Sequence, residues 1–188
     1  SRKCKAAGCN NEFIPFSSLE SWCSPACGYA LSQEKLARKA RSEALKTKRE
    51  RIAAKKAFQA KDKPYQIKLT QKAFNAFVRE RDHGEPCISC GITYGQMQAG
   101  HYKTVGHAPE LRFEPFNCHA QCAQCNNSKS GNVADYRLGL IRKIGIEEVE
   151  WLEGPHESKN YTCEQLIEMR ACFVATTRGM KQEREESQ

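Results

Sequence analysis

The spacing of apolar positions changes along this chain, and each change predicts an element. From Ala30 to Lys63 they are sparse: Leu31, Leu36, Leu45, Ile52 and Phe58 lie too far apart for a continuous stripe. That stretch has no Gly or Pro and is rich in Ala, Lys, Arg, Glu and Leu, all good helix formers. It predicts a long, exposed helix broken at Pro64. Ile67, Phe74, Phe77 and Val78 then recur at helical spacing and predict a second helix over residues 66–83, closed by His83-Gly84. In "LRFEPFN", Leu111, Phe113 and Phe116 alternate with Arg112 and Glu114, the pattern of a short strand. Tyr136, Leu138, Leu140, Ile141 and Ile144 predict an amphipathic helix over residues 134–144, ended by Gly145. A short helix over residues 146–152 and a loop over residues 154–160 follow. Thr162 opens the last helix, with Gln165 as its capping-box partner and Leu166, Ile167, Met169, Cys172 and Phe173 inside it. "KQEREESQ" has no apolar anchor and is expected to fray.

Composition changes this picture at the cysteines. The chain has 188 residues, 39% hydrophobic and 28% charged, enough for one domain plus a small module. No stretch approaches the roughly 20 apolar residues of a membrane helix. "SRKCKAAGCN" has no apolar run of a secretory signal, so the expected setting is cytoplasmic, with no membrane partner. Eleven cysteines in a reducing compartment point to metal rather than disulfides. Cys4-x4-Cys9, Cys23-x3-Cys27, Cys87-x2-Cys90 and Cys122-x2-Cys125 are four close pairs, the spacing of two Cys4 zinc sites. Cys118, Cys163 and Cys172 are left over. Residues 1–29 read as an N-terminal zinc module in which Phe13, Ile14, Phe16, Leu19 and Trp22 form a tiny core around the ion. A metal would supply most of its stability. Residues 30–63 read as a basic helix or linker, and residues 64–188 as the main domain with the C-terminal helices.

Charge singles out the same helix. The chain carries a net charge of +8, and residues 30–63 hold 12 Lys/Arg against 4 Asp/Glu. A basic block of this kind is a footprint for a polyanion, most often nucleic acid. Lys46, Lys48, Arg49, Arg51, Lys55 and Lys56 are its candidate contacts.

The stretch from Cys87 to Asn132 carries the candidate chemistry. Two cysteine turns about thirty residues apart would clamp a small β-hairpin onto the start of a helix, "CAQCNNSKSG", whose N-terminus favours phosphate. The ordered pieces are Cys87-Ile-Ser-Cys90, Gly100-His101-Tyr102, Asn117, Cys122-Ala-Gln-Cys125, Asn126 and Lys129. This order resembles the HNH, or His-Me finger, nucleases with a zinc-stapled ββα core. Across nearly the whole chain, and most densely from Phe77 to Asn132, the sequence is similar to the NinG/Rap recombination endonucleases of lambdoid phages. "FVRERD", "PCISCG", "AGHY", "LRF", "QC" with "CN", and "KSGN" carry that similarity, together with the leading Cys4 module and the basic helix. The resemblance implies a nuclease that cuts branched DNA, such as Holliday junctions and D-loops, in the host bacterial cytoplasm alongside other recombination proteins.

Phosphodiester hydrolysis needs a base to activate water and a cation to stabilise developing charge. His101 suits the base, since neutral imidazole accepts a proton near neutral pH. Asn126 suits a carbonyl oxygen on Mg2+ or Mn2+, which take oxygen ligands and keep several waters. Asn117 is expected to bond the loop backbone and hold His101, and Lys129 to meet a phosphate oxygen. Many HNH nucleases carry an Asp or His where this chain has Gly100. His119 is the first candidate to complete the metal shell, ahead of Glu114 and Asp135. The fold expected is α+β and helix-rich: a zinc-stapled ββα motif behind a zinc module and a long basic helix. A homodimer would supply the two cuts of symmetric junction resolution. The rival reading is a non-catalytic zinc protein that binds nucleic acid. A thiol redox role has little support without a thioredoxin-like βαβ pattern.

Overall fold

Asp62 breaks the long basic helix from the next one. Its side chain accepts the N–H of Tyr65 at 3.2 Å, and Pro64 sits in the first turn of the new helix, where a missing N–H costs nothing. The second helix therefore begins at Lys63, three residues earlier than its apolar spacing predicts. In the computed structural model, which describes residues 1–187, the order is β1 (Arg2–Lys3), β2 (Glu12–Phe13), α1 (Pro25–Lys61), α2 (Lys63–Arg81), β3 (Met97–His101), β4 (Cys118–Cys122), α3 (Val133–Ile144), α4 (Ile146–Glu153) and α5 (Cys163–Glu186). The chain is helix-rich α+β with two small antiparallel sheets, β1–β2 and β3–β4. It divides into two units, Ser1–Phe58 and Gln59–Gln188. No helix among the described residues is long and apolar enough to cross a membrane.

In the first unit, α1 starts at Pro25 rather than Ala30, so Cys27 lies in its opening turn. None of its 37 residues is buried. The apolar residues expected to form a small core do not do so: Ile14, Phe16 and Leu19 are 88%, 99% and 87% exposed, and Phe13 and Trp22 are only half-buried. Cys4 and Ala6 are buried instead. The loop is too short to fold its side chains inward, and the thiol cluster occupies the centre a core would fill.

In the second unit, α2 buries Thr70, Phe74 and Val78 on one face, mainly against α5. Phe74 meets Phe173 edge-on at 5.2 Å, and Thr70 Oγ1 donates to the Leu166 carbonyl at 2.8 Å. The capping box of Thr162 and Gln165 is formed. α5 continues to Glu186, through most of the segment expected to fray, because Arg184 reaches back to Glu80 on α2 at 3.0 Å. A polar anchor stands in for the missing apolar one; Gln188 lies outside the described residues.

The β3–β4 hairpin separates two apolar clusters. Phe74, Val78, Phe113, Cys118 and Leu166 form one; Tyr102, Ala108, Leu111, Tyr136, Leu140, Val149 and Leu152 form the other. The strand expected over "LRFEPFN" is absent. Pro109 and Pro115 open 3-10 turns at Pro109–Leu111 and Pro115–Asn117, and β4 starts only at Cys118. The alternation arises differently: Leu111 points into one cluster and Phe113 into the other.

The helix expected from "CAQCNNSKSG" also begins later. Gln124–Ser128 forms a π-helical turn, and then Ser130, Gly131 and Asn132 adopt φ of 49°, 86° and 46°. Three left-handed residues end that turn before α3 can start at Val133. α3 then crosses the first cysteine turn so closely that a Cβ on Gly139 would lie 1.9 Å from the Ile88 carbonyl oxygen. Gly139→Ala is expected to destabilise the protein by about 1–3 kcal/mol, as overpacking does. Urea unfolding of the metal-loaded protein measures this, and an unchanged midpoint would contradict the close crossing.

Candidate functional site

Cys4, Cys9, Cys23 and Cys27 form one cluster, and Cys87, Cys90, Cys122 and Cys125 another; within each, all four sulfurs lie within 4.8 Å of one another. Four thiolates about 2.3 Å from a tetrahedral ion stand about 3.8 Å apart. Cys9–Cys23, Cys23–Cys27 and Cys90–Cys122 are separated by 3.6, 3.8 and 3.8 Å. Both clusters could hold zinc, and the pairing read from the sequence is the pairing in space. N–H groups surround the second cluster: Cys122 N donates to Cys87 Sγ at 3.3 Å, Cys125 N to Cys122 Sγ at 3.4 Å, and Asn132 Nδ2 to Cys125 Sγ at 3.6 Å. Burial opposes ionisation of Cys87, but backbone N–H groups outweigh it and hold its thiol at about 7.

The second cluster closes one end of the hairpin, where Met97 pairs with Cys122. At the other end His101 pairs with Cys118. The His101 ring lies 5.8 Å from that of Phe74 on α2. Its Nε2 is 2.9 Å from the Arg112 carbonyl oxygen. A carbonyl only accepts, so Nε2 carries the hydrogen and Nδ1 keeps a lone pair. Facing that lone pair is the Sγ of Cys118, a weak donor 3.8 Å away, whose buried thiol is pushed up and stays protonated. Burial lowers the pKa of His101, which favours the neutral ring. His101 is outside both cysteine clusters.

Asn117 is fully buried and braces the loop between the strands. Its Nδ2 donates to the carbonyls of Lys103 and Leu111 at 3.0 and 3.1 Å, and its Oδ1 accepts from Lys103 N at 2.8 Å. Its own carbonyl accepts from Tyr102 N at 2.8 Å. Both residues flanking the loop mouth, and with them His101, are thereby fixed.

Asn126, in the π-helical turn, donates through Nδ2 to Gln98 Oε1 at 2.7 Å, and its Oδ1 has no hydrogen-bond partner among the described residues. Gln98 and His101 are three residues apart in β3, so their side chains leave opposite faces. The structure thus ties His101 and Asn126 to one strand without stacking them on one face. Glu114 caps the turn at Phe116 through Oε1, and Asp135 accepts from Asn132 through Oδ2.

His119 is not available to complete a metal shell. Its register partner is Gly100, so it lies on the face opposite His101, and it is 2% exposed. Nε2 donates to the Phe116 carbonyl at 3.1 Å, and Nδ1 accepts from Arg81 at 3.0 Å. Burial holds its pKa down and the ring neutral. A brace that sequence reasoning missed surrounds it. Asp82, 4% exposed, binds Arg81, Lys143 and the N–H of Ala120, while Arg81 also donates to the carbonyls of Pro115 and Cys118. Burial raises the Asp82 carboxyl, but the Arg81 guanidinium and the Ala120 N–H outweigh that and keep it well below the usual range. The one signal for this brace in the sequence is the motif "FVRERD", which ends on Arg81 and Asp82.

Gly100 has a steric cause. A Cβ there would lie 2.2 Å from Gln121 Oε1, and Gln121 cannot swing away: its Nε2 donates to Ser89 Oγ and to the Gly131 carbonyl. Tyr136 adds a bridge across the same pair of positions, donating to the Gly100 carbonyl at 2.7 Å and accepting from His119 N at 3.0 Å. Lys129, after the π-helical turn, is exposed, as are Lys46, Lys48, Arg49, Arg51, Lys55 and Lys56 along α1.

Fold and clusters define the class: a helix-rich α+β protein with two Cys4 clusters that could hold zinc and a braced hairpin beside the second. The family described as "Bacteriophage Lambda NinG protein" matches residues 1–184, and the chain belongs to the NinG family. It is 39% identical to Protein ninG of Salmonella phage P22 over 198 aligned residues, covering 99% of this chain and 97% of that one. It is 39% identical to Protein ninG of Escherichia phage lambda and 38% to that of Escherichia phage 933W, covering 99% of this chain and 96% of each relative. No solved structure matches the chain significantly.

Two zinc equivalents per chain are expected after extensive dialysis, by elemental analysis. One equivalent, with Cys4 and Cys9 open to alkylation in the native protein, would remove the N-terminal centre.

Proposed function

We propose that this chain is a divalent-metal-dependent endonuclease that acts on branched DNA, with an HNH-like ββα unit formed by β3, β4 and the segment leading into α3. The observation that carries this reading is His101: a neutral imidazole with Nε2–H tied to a carbonyl and Nδ1 left as a base, at the far end of a hairpin from a cysteine cluster that does not need it. His101 would accept the proton of the attacking water through Nδ1. Asn117 would keep the ring in place through the loop it braces. Asn126 Oδ1 would offer one oxygen ligand to Mg2+ or Mn2+, which when bound supplies charge stabilisation at the phosphate. Because the tie to Gln98 sets Asn126 on the other face of β3 from His101, the two share a phosphate only once that tie is released. Lys129 would meet a phosphate oxygen as a point charge. A homodimer would bring two such sites to a junction.

The second reading, a zinc protein that binds nucleic acid without cutting it, is favoured by the two Cys4 clusters and the basic helix with no buried residue. It gives no role to the tautomer of His101 or to the free oxygen of Asn126.

His101→Ala is expected to lower single-turnover cleavage of a four-way junction by about 10²–10⁴ while zinc content and junction binding persist. Loss of zinc and unfolding would instead make His101 structural, and wild-type cleavage would remove the mechanism. The pH profile has a defined sign. Burial lowers the pKa of His101 below its ordinary value of 6.5, so the base form persists as pH falls and the acid limb should have its midpoint below 6.5. A midpoint above 6.5 would contradict this. Replacing Lys46, Lys48, Arg49, Arg51, Lys55 and Lys56 by Gln should weaken DNA binding and flatten its salt dependence, since fewer counterions are released. Unchanged binding would make α1 a spacer.

A further inference from the structure

The N-terminal unit has a surface that the proposed chemistry leaves unused. Single exposed apolar residues are ordinary. Here three large ones, Ile14, Phe16 and Leu19, stand almost fully exposed within six residues. The loop that carries them is not loose. Arg2 donates to the Ser18 carbonyl at 3.0 Å, Lys5 N to the Ser21 carbonyl at 2.9 Å, and Phe16 N to the Glu20 carboxylate. The side chains are held outward by a fixed backbone.

Leu19 also borders a cleft of about 600 Å³ that Arg2, Lys3, Lys5 and Lys35 line. Its one carboxylate, Glu20, is already bonded to Phe16 N. Four cations therefore face the cleft against one committed anion. Interface cores for protein partners are depleted of charge. Phe16 does not line the cleft but stands on the same loop, its N–H bonded to Glu20 of the cleft wall. A positive groove with an exposed aromatic ring on the same loop is instead the arrangement that holds single-stranded nucleic acid, with phosphates in the groove and bases on the ring.

We propose that this module binds unpaired nucleotides: the Arg2, Lys3, Lys5 and Lys35 cleft takes the phosphates, and Phe16, flanked by Ile14 and Leu19, stacks on or wedges against a base freed from its partner. The inference rests on the reading of the chain as a DNA-acting protein and adds what it recognises there. Branch points are where duplexes expose such bases, so the module would direct the protein to structure rather than to sequence. It needs no role for His101.

The test uses the full zinc-loaded chain without added Mg2+, so that binding is read apart from cleavage. A fluorescein-labelled oligo-dT, a forked duplex and a blunt duplex are titrated by anisotropy. Phe16→Ala should weaken oligo-dT and fork binding about tenfold and leave blunt-duplex binding unchanged. Zinc content should stay at the wild-type value, because Phe16 is 99% exposed and supports nothing. Lys3→Gln with Lys5→Gln should lower the salt slope on oligo-dT by about 0.7 for each phosphate no longer neutralised. Wild-type affinity of Phe16→Ala for oligo-dT and fork overturns the proposal. So does loss of self-association in sedimentation with DNA affinity intact, which would assign the patch to a second copy. Either result leaves the cleavage test of His101 as it stands.

Discussion

The meeting of four thiols from two turns governs the candidate site. Cys90 and Cys122 are 32 residues apart in sequence and 3.8 Å apart in space. Closing so long a loop costs chain entropy that a two-stranded hairpin of five residues a side does not recover on its own. A metal ion at the cluster would supply the difference. Once that end is closed, the register of β3 on β4 is set, and with it His101 at the far end. α3 leans on the same turn through the Gly139–Ile88 contact, and Asn132 reaches the cluster's Cys125. The hairpin, the helix and the histidine thus share one origin.

That register also explains why two histidines so near in space have different fates. His101 pairs with Cys118 and His119 with Gly100, so one step in the ladder puts their rings on opposite faces. On the His119 face the end of α2 supplies Arg81 and Asp82, and both ring nitrogens are consumed. On the His101 face the neighbours are Phe74, a carbonyl that holds Nε2, and the Cys118 thiol, which is only a weak donor 3.8 Å from Nδ1. The same burial lowers both pKa values, yet only His101 keeps a usable lone pair.

Covalent spacing and helical period were legible in the sequence; orientation was not. The cysteine pairs and the helix ends at Gly145 and Thr162 follow from local patterns, whereas Asn117 stands out only through the resemblance of the ordered motif. "LRFEPFN" misleads because alternation can also arise from two proline-led turns that send Leu111 and Phe113 to different clusters. The exposure of Phe16 was hidden because hydropathy assigns an aromatic to a core without asking whether the loop can turn it inward. The Arg81–Asp82–His119 brace and the Gln121 amide under Gly100 join residues far apart along the chain, and such pairings carry no period in a single sequence.

On the proposed mechanism, the cysteine cluster positions a base that it does not contain. The most direct measurement is single-turnover cleavage of a four-way junction by His101→Gly protein over a range of imidazole concentrations, with zinc measured in parallel. Almost no cleavage is expected without imidazole, and the rate should rise and saturate as imidazole takes the place of the missing ring. Wild-type cleavage by the zinc-replete variant without imidazole would contradict the mechanism.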